Sequence, residues 1–470
     1  MEPYVPPPGS IPTLPVPDLG GLERTHLVGI GGAGMSGIAR VLMDRGINVT
    51  GCDLKDGSGA QALRGAGATV EVGHDAGHVG DAQAVIISTA IPAGNAEVAA
   101  AHEAGVPVYV RAQVLAALMT GRRCVAVAGT HGKTTTTSMI AVILERTGLD
   151  PTYIVGGELN ESGSGARSGA GDLFVAEADE SDGSFLLLRP DIAVVTNVEP
   201  EHLDFYGDGG AVDAAFASFC ASAGHVIACG DDPGCRRVLP PGATTYGEGE
   251  ANDIRVDVLE IGAGSRGAVT IEGARVEVRL PFPGHHHLLN AAAALATAAR
   301  LGVDPAGAAE ALTAFTGVRR RFERLGEAGG ARFVDDYAHH PTEIEATLAS
   351  ARHDGADRLV AVFQPHRFTR TQVMGRALGE SLAGADVVVV TDVYGAGEVP
   401  IPGVSGKVVV DALAEAAPGK RVVYLPSRAD VAPYLSSSIR PGDLVLTLGA
   451  GDVTMVGGET MNALRERPGG

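Results

Sequence analysis

The 470-residue chain is poor in cysteine and in lysine, and both shortages narrow its chemistry. Its five cysteines (Cys52, Cys124, Cys220, Cys229, Cys235) are scattered, odd in number and never spaced as CxxC. The sequence therefore signals neither a disulfide framework nor a zinc site. Lysine supplies only four of the 36 basic residues, Lys55, Lys133, Lys407 and Lys420, so the position of each is informative. Positive charge is itself in short supply: 56 acidic side chains leave a net charge of -20. That balance excludes a general binder of nucleic acid or anionic membrane, while a small anion in a local basic pocket stays compatible with it. No segment approaches 18 uninterrupted apolar residues, so no membrane span is expected. The first 23 residues hold seven prolines and no lysine or arginine, which is not the pattern of a signal peptide. The chain is expected to be cytoplasmic.

Glycine is plentiful, with 66 residues, many at the ends of apolar runs where α/β units need turns. Residues 1–23 read as a Pro-rich tail. Beyond them, strand–turn–helix alternation predicts three α/β domains, each on a largely parallel sheet, at 24–122, 123–325 and 326–470. The alternating segments Asp253–Leu259 and Arg275–Leu280 predict an antiparallel flap, and Asn290–Leu301 a helix. No repeat of solenoid period is visible.

Four stretches carry candidate chemistry. In the first, Gly29, Gly31, Gly32, Gly34 and Gly37 follow an apolar run and precede a helical one, with Asp53 closing the next strand. Small residues there let a backbone approach a pyrophosphate at a helix N-terminus, and a dinucleotide with Asp53 on a ribose hydroxyl fits that pattern. The second is Gly129-Thr130-His131-Gly132-Lys133-Thr134-Thr135. It resembles a phosphate loop shortened by two residues, since Val127 stands where GxxxxGK[ST] has its first glycine. Backbone N–H groups would cradle phosphates, Lys133 would reach the outer ones, and the Thr134 hydroxyl would ligate Mg²⁺. The third, Glu177-Ala-Asp179-Glu180-Ser-Asp182, sets carboxylates past a strand end, suited either to Mg²⁺ or to a solvated acidic loop. The fourth, Thr196-Asn197-Val-Glu199-Pro-Glu201-His202-Leu-Asp204, again puts polar groups past a strand, with His202 a metal or substrate contact or a structural histidine.

These stretches together resemble the Mur ligases. The third domain adds Asp335-Asp336-Tyr337-Ala-His339-His340, Gln364-Pro-His366-Arg367-Phe-Thr-Arg370 and Asp392-Val-Tyr394-Gly-Ala-Gly-Glu398, and the match runs from about Thr25 to Asp452. Within the family the wording is closest to the alanine-adding member. The resemblance implies a Rossmann-like N-terminal domain for a UDP-sugar, a P-loop ATPase centre and a Rossmann-like C-terminal domain for the amino acid. It implies ATP and Mg²⁺ as cofactors, with UDP-N-acetylmuramate and L-alanine as partners. Gly29, Gly31, Gly32 and Gly34 would then hold the UDP diphosphate rather than a dinucleotide, with Asp53 and Ser88 also on the substrate. Gly129–Thr135 would hold the ATP phosphates, and Thr134, Glu177 and His202 the metal. His286 and Asn290 would lie near adenine, although His287 replaces the first asparagine of the family's G-x-H-N-x-x-N. Arg321 would reach phosphates, Asp336 would lie near the ribose, and Tyr337, His339, Arg367 and Arg370 would receive the amino acid. Several later-acting relatives carry a carbamylated lysine in the central domain; this chain has no lysine between Lys133 and Lys407.

The implied reaction is amide formation through an acyl phosphate. Lys133, the metal ligands and Arg321 would neutralise charge, and His202, His339 or His340 would accept the amine's proton. A nicotinamide-dependent oxidoreductase would leave the Lys133 loop and the third domain unused. A nucleotide-sensing scaffold would leave the metal and phosphate ligands unused. A murein-peptide ligase, acting on the same sugar nucleotide, is the nearer alternative.

Overall fold

A computed structural model describes residues 14–92 and 94–466. Most of the expected Pro-rich tail lies outside them, and residues 14–23 contain neither helix nor strand. Two compact units are formed. One comprises the chain up to Asp257 with Ala268–Val278 and Leu289–Phe315; the other comprises Val258–Gly267, Arg279–Leu288 and the chain from Thr316 on. Among the described residues no helix is long and apolar enough to cross a membrane.

The first unit begins with a five-stranded parallel sheet in the order Thr69–Val72, Asn48–Asp53, Arg24–Val28, Ala84–Ile87, Val108–Val110. The chain winds outward in both directions from Arg24–Val28, so the loop that follows this strand opens at the switch in strand order. That is where doubly wound sheets leave a crevice. Helix Ala33–Asp44 then returns along the sheet with Met35, Ile38, Val41 and Leu42 buried.

The second sheet has ten strands. Its parallel part runs Thr244–Gly247, His225–Cys229, Ile192–Val195, Arg123–Ala128, Leu173–Glu177, Thr152–Ile154, and Ala166–Arg167 pairs antiparallel at one edge. Val125 through Ala128 have no exposed surface, as expected of a central strand covered on both faces. The expected two-stranded flap is instead three strands, Ile254–Ile261, Ser265–Ile271 and Ala274–Leu280. The first of them pairs parallel with Thr244–Gly247 and so extends the sheet itself. The next two follow across connections of three and two residues, which only antiparallel neighbours permit.

The two sheets of this unit are tied at Gly37, where an added Cβ would stand 2.9 Å from Ile154 and 3.4 Å from Ala166. The last glycine of the first motif therefore serves helix packing.

The second unit carries a six-stranded sheet, in the order Glu323–Ala328, Ala331–Asp336, Asp443–Leu448, Arg358–Phe363, Val387–Val390, Arg421–Tyr424, parallel except for its first strand. The expected boundary at 325 falls inside Glu323–Ala328, which hydrogen-bonds to Ala331–Asp336. The sheet changes before Glu323, because this antiparallel edge strand lacks the alternation that would mark it in sequence.

Candidate active site

Strand Arg123–Ala128 lies between Ile192–Val195 and Leu173–Glu177, so the ends of all three strands deliver their loops together. Gly129 leaves the strand at φ +134°, and a Cβ there would stand 2.0 Å from the Thr196 hydroxyl. The loop is laid along the fourth motif. Thr130 N donates to Asn197 O (3.0 Å), His131 N to the Asn197 side chain (2.8 Å), and Glu199 N to the Thr130 hydroxyl (2.9 Å). Gly132, at φ +82°, opens helix Lys133–Arg146.

Lys133 Nζ donates to Gly129 O (2.6 Å), Thr130 O (3.2 Å) and Glu180 Oε1 (2.9 Å). Burial works against its charge, but Glu180, Glu177 and Asp179 together hold the ammonium protonated. Burial pushes the Glu180 carboxyl up to about 7 against the pull of Lys133. Thr134 Oγ1 lies 3.1 and 3.0 Å from the two oxygens of Glu177, and Gly156 N donates to Oε2 of the same carboxylate (2.8 Å). A hydroxyl and a carboxylate held together suit a hard divalent cation such as Mg²⁺, which prefers oxygen. His202 stands beside Glu180, with Nε2 3.9 Å from Oε1, rather than in the Thr134–Glu177 pair, and its φ of +55° is strained for a non-glycine residue. Thr135 is buried on the same helix.

At the first glycine loop, Gly29 N and Ile30 N donate to Cys52 O (2.9 and 3.0 Å), and Gly31 N to Asp53 Oδ2 (3.0 Å). Asp53 braces the loop, and its other oxygen accepts from Lys55 N (3.2 Å). Gly32 caps helix Ala33–Asp44, and a Cβ on Gly34 would stand 2.6 Å from Arg111 Nη1. Arg111 in turn pairs with Asp179 (3.0 Å), and Thr89, next to Ser88, donates to Asp182 (2.7 Å). The acidic motif is thus tied both to the Lys133 loop and to the first glycine loop.

In the second unit, Tyr337, His339, His366 and Tyr394 form a run of aromatic contacts, with ring centroids 5.2, 6.0 and 5.7 Å apart. Arg320 and Arg321 stack on Tyr337 at 4.9 and 5.0 Å. Glu343 lies 3.6 Å from Arg321 and 3.1 Å from His339 Nδ1, which also meets Tyr337 O at 3.0 Å. Arg367 begins helix Phe368–Ser381 at φ +68° and donates to Glu398 (2.6 Å). Burial, together with repulsion from His339 and from the cationic Arg370 and Arg367, pushes His366 down to about 3, so it stays neutral. Asp336 is buried and accepts Phe322 N and Ala338 N, both at 2.7 Å. One oxygen therefore braces the Arg320–Phe322 bend and the other the turn at Ala338, and burial pushes its carboxyl up to about 6.

The adenine-site motif divides. Asn290 packs on the phosphate loop, 2.8 Å from where a Gly132 Cβ would stand. His287 is buried against Phe282 and His286, at 4.5 and 4.0 Å between centroids, and burial holds its imidazole neutral.

Arg111, Asn197, His366, Glu343 and Glu398 join these sites although the sequence singled none of them out for a role, and Glu180, read as either a Mg²⁺ ligand or a solvated acid, pairs with Lys133 instead. Asn197, His366 and Glu398 stand in the quoted motifs; Arg111 and Glu343 carried no local signal. Of the seven non-glycine residues at positive φ among those described, five (His202, Arg320, Phe322, Arg367, Ala396) fall in or beside the motif loops. Backbone strain of this kind concentrates at functional sites.

Comparison with known proteins agrees in extent with this layout. Residues 24–123 match the model "Mur ligase family, catalytic domain", 127–298 the "Mur ligase middle domain", and 320–451 the "Mur ligase, glutamate ligase domain". A UDP-N-acetylmuramate–L-alanine ligase of Kineococcus radiotolerans is 50% identical over 95% of this chain and 97% of its own length. One from Rubrobacter xylanophilus is 50% identical over 94% and 100%. Among solved structures, the UDP-N-acetylmuramate–alanine ligase of Thermotoga maritima superposes with a TM-score of 0.82 at 29% identity, covering 94% of this chain and 99% of that one. A murein peptide ligase from Psychrobacter arcticus gives 0.73 at 26%, covering 95% and 99%.

Proposed function

We infer the reaction from one premise: the chain belongs to the Mur ligase family. It is an ATP-dependent ligase that joins L-alanine to the carboxylate of UDP-N-acetylmuramate in peptidoglycan precursor synthesis. One observation carries this reading. A chain half identical to alanine ligases over nearly its whole length pairs Lys133 with Glu180 and Thr134 with Glu177 at a single strand–loop–helix junction.

A carboxylate is a poor electrophile, and ATP with Mg²⁺ supplies the phosphoryl group that activates it. The remaining work falls to this chain's residues. The loop Gly129–Thr135 binds phosphate charge through the N–H groups that open helix Lys133–Arg146 and through the Lys133 ammonium, which keeps its proton because three carboxylates surround it. Thr134 and Glu177 would hold the metal, which would neutralise phosphate charge, with His202 nearby beside Glu180. The loop Gly29–Gly34 presents the UDP diphosphate to the N-terminus of helix Ala33–Asp44, with Asp53 fixing the loop and Ser88 at the neighbouring strand end. Arg321 supplies positive charge to the phosphates, and Asp336 keeps Arg321 in place by bracing its backbone. Asn290 packs on the phosphate loop while His286 faces the base. Arg367 and Arg370 hold the L-alanine carboxylate, and Tyr337 lines the pocket. His339, with Nδ1 committed to Tyr337 O and Glu343, takes the amine's proton on Nε2. A reaction that consumes ATP and a sugar nucleotide belongs in the cytoplasm.

The test is ADP release from purified protein given UDP-N-acetylmuramate and ATP, with L-alanine compared against a tripeptide, L-serine and glycine. L-Alanine is expected to support the fastest turnover. Preference for the tripeptide makes the chain a murein-peptide ligase, and turnover without any amine removes the ligase reading.

A further inference from the structure

Behind the first glycine loop, and unused by the reaction, lies a buried group of metal-ligating side chains. His26 comes from strand Arg24–Val28, Cys52 from Asn48–Asp53, and Glu97 from helix Ala96–Glu103. Cys52 and Glu97 have no exposed surface and His26 has 1%. One ligand atom of each lies within 4.8 Å of the others. His74 and His78 border the group, with side chains 18% and 22% exposed, and form its solvent side.

The contacts converge on the Glu97 carboxylate. Cys52 Sγ stands 3.0 Å and His74 Nδ1 2.9 Å from Oε2, with 3.1 Å between sulfur and nitrogen. His78 Nδ1 stands 2.8 Å from Oε1. His26 completes the picture. His26 Nδ1 meets Thr50 Oγ1 at 2.9 Å. Its Nε2 is buried, stands 3.7 Å from Glu97 Oε1 and has no partner within hydrogen-bond distance. A buried imidazole nitrogen left over beside a thiol and a carboxylate makes a donor set for a cation.

We propose that His26, Cys52 and Glu97 bind one thiophilic divalent metal ion of the Zn²⁺ class, with His74 on the solvent side holding Cys52 and Glu97 in place. Nitrogen, sulfur and carboxylate oxygen are the donors such an ion takes. Ligand atoms around a tetrahedral zinc sit roughly 3.5 Å apart, given bonds of about 2.0–2.3 Å. Cys52 Sγ and His26 Nε2 stand 3.0 and 3.7 Å from the Glu97 carboxylate, on either side of that value. On binding, the Cys52 thiol proton leaves to solvent and a sulfur–metal bond forms. Thr50 and His78 then act in the outer shell, orienting His26 and Glu97. The site bears on the glycine loop because Cys52 O anchors Gly29 N and Ile30 N. Metal occupancy stiffens that anchor.

The test uses full-length protein stripped with a chelator and titrated with Co²⁺ in excess Mg²⁺, which saturates the oxygen site at Thr134 and Glu177. One equivalent of Co²⁺ is expected to give a thiolate-to-cobalt charge-transfer band with intense tetrahedral visible bands, both displaced by Zn²⁺. The band is expected to vanish in Cys52→Ala, weaken in His74→Gln and persist in Cys220→Ala. A hundredfold excess of Zn²⁺ over its Kd should raise the unfolding midpoint of the wild type by about 5 °C and leave Cys52→Ala unmoved. If Cys52→Ala does not fold, His26→Gln serves as the second variant, expected to lower Co²⁺ affinity at least tenfold. A folded wild type without a thiolate band, a band that survives in Cys52→Ala, or unchanged affinity in His26→Gln overturns the proposal.

Discussion

The first unit contains two junctions of the same local form, a buried strand, a glycine loop and a helix, and they are built for different tasks. At Gly129–Lys133 the loop carries its own cation and is ringed by Glu177, Asp179 and Glu180, so charge is concentrated where Lys133 ends. At Gly29–Gly34 no charged residue stands in the loop. An aspartate braces its backbone, and the nearby Arg111 is committed to Asp179. Backbone N–H groups and a helix N-terminus suffice to hold a diphosphate that does not react. Transferring a phosphoryl group requires side-chain charge placed for the transition state. One backbone motif therefore serves binding or chemistry according to which side chains tertiary structure brings to it.

The sharpest way to break this contrast is Lys133→Ala. Loss of the ammonium is expected to lower kcat on the order of 10²–10³-fold or more while the circular dichroism spectrum is unchanged. Near-normal ADP release from the folded variant would dissolve the distinction between the junctions. Next in size is Gly31→Val, whose Cβ would stand 3.0 Å from Asp53 Oδ2 and whose branches would cover the loop's backbone. The KM for the sugar nucleotide should rise about tenfold or more, with the KM for ATP little changed. A larger effect on ATP would mean that the two junctions have been assigned the wrong way round.

A smaller effect is expected in the second unit, where Arg367→Lys and Arg370→Lys keep the charge and lose the guanidinium fork. Each should raise the KM for L-alanine several-fold to tenfold, leaving ATP kinetics unaltered. Unchanged alanine kinetics in both variants and in the double variant would remove these arginines from the pocket.

The smallest effect is a pH dependence of stability. Asp336 is held up at about 6 when folded, above the usual carboxylate value of about 3.9. Its contribution is therefore complete below about pH 4 and is lost as pH rises through about 6. Asp336→Asn removes that loss. Relative to wild type, the variant should gain about 2 kcal/mol between pH 4.5 and 7 in urea denaturation. A constant difference across that range would show that Asp336 is ionised throughout.

Much of the architecture was legible because it is local. Period-2 and short buried apolar runs ending in glycine marked His225–Cys229, Leu173–Glu177 and Asp443–Leu448 to within a residue or so. Although Thr244–Gly247, also missed, lies inside its sheet, several strands that escaped, among them Glu323–Ala328, Ser265–Ile271 and Ala166–Arg167, lie at or near sheet edges. Exposure there weakens the apolar pattern, and pairing with a neighbour decides the conformation. The candidate site divides in the same way. Lys133, Thr134 and the glycines around them are dictated by one loop, and a scarce lysine made the loop conspicuous. Glu180 could equally have been a solvated acid; the fold buries it against Lys133.

Sequence alone thus determined the three-part α/β organisation, the two glycine junctions and the family, because each rests on residues close together in the chain. Tertiary structure decided which charges face each other. Arg111 meets Asp179 across 68 residues, and Gly37 admits Ile154 from another sheet. Scattered cysteines with no metal spacing gave no hint that Cys52 would lie beside Glu97, 45 residues on, with a buried nitrogen of His26 near the same carboxylate. Parallel strands bring distant residues to neighbouring positions, and no local pattern encodes that.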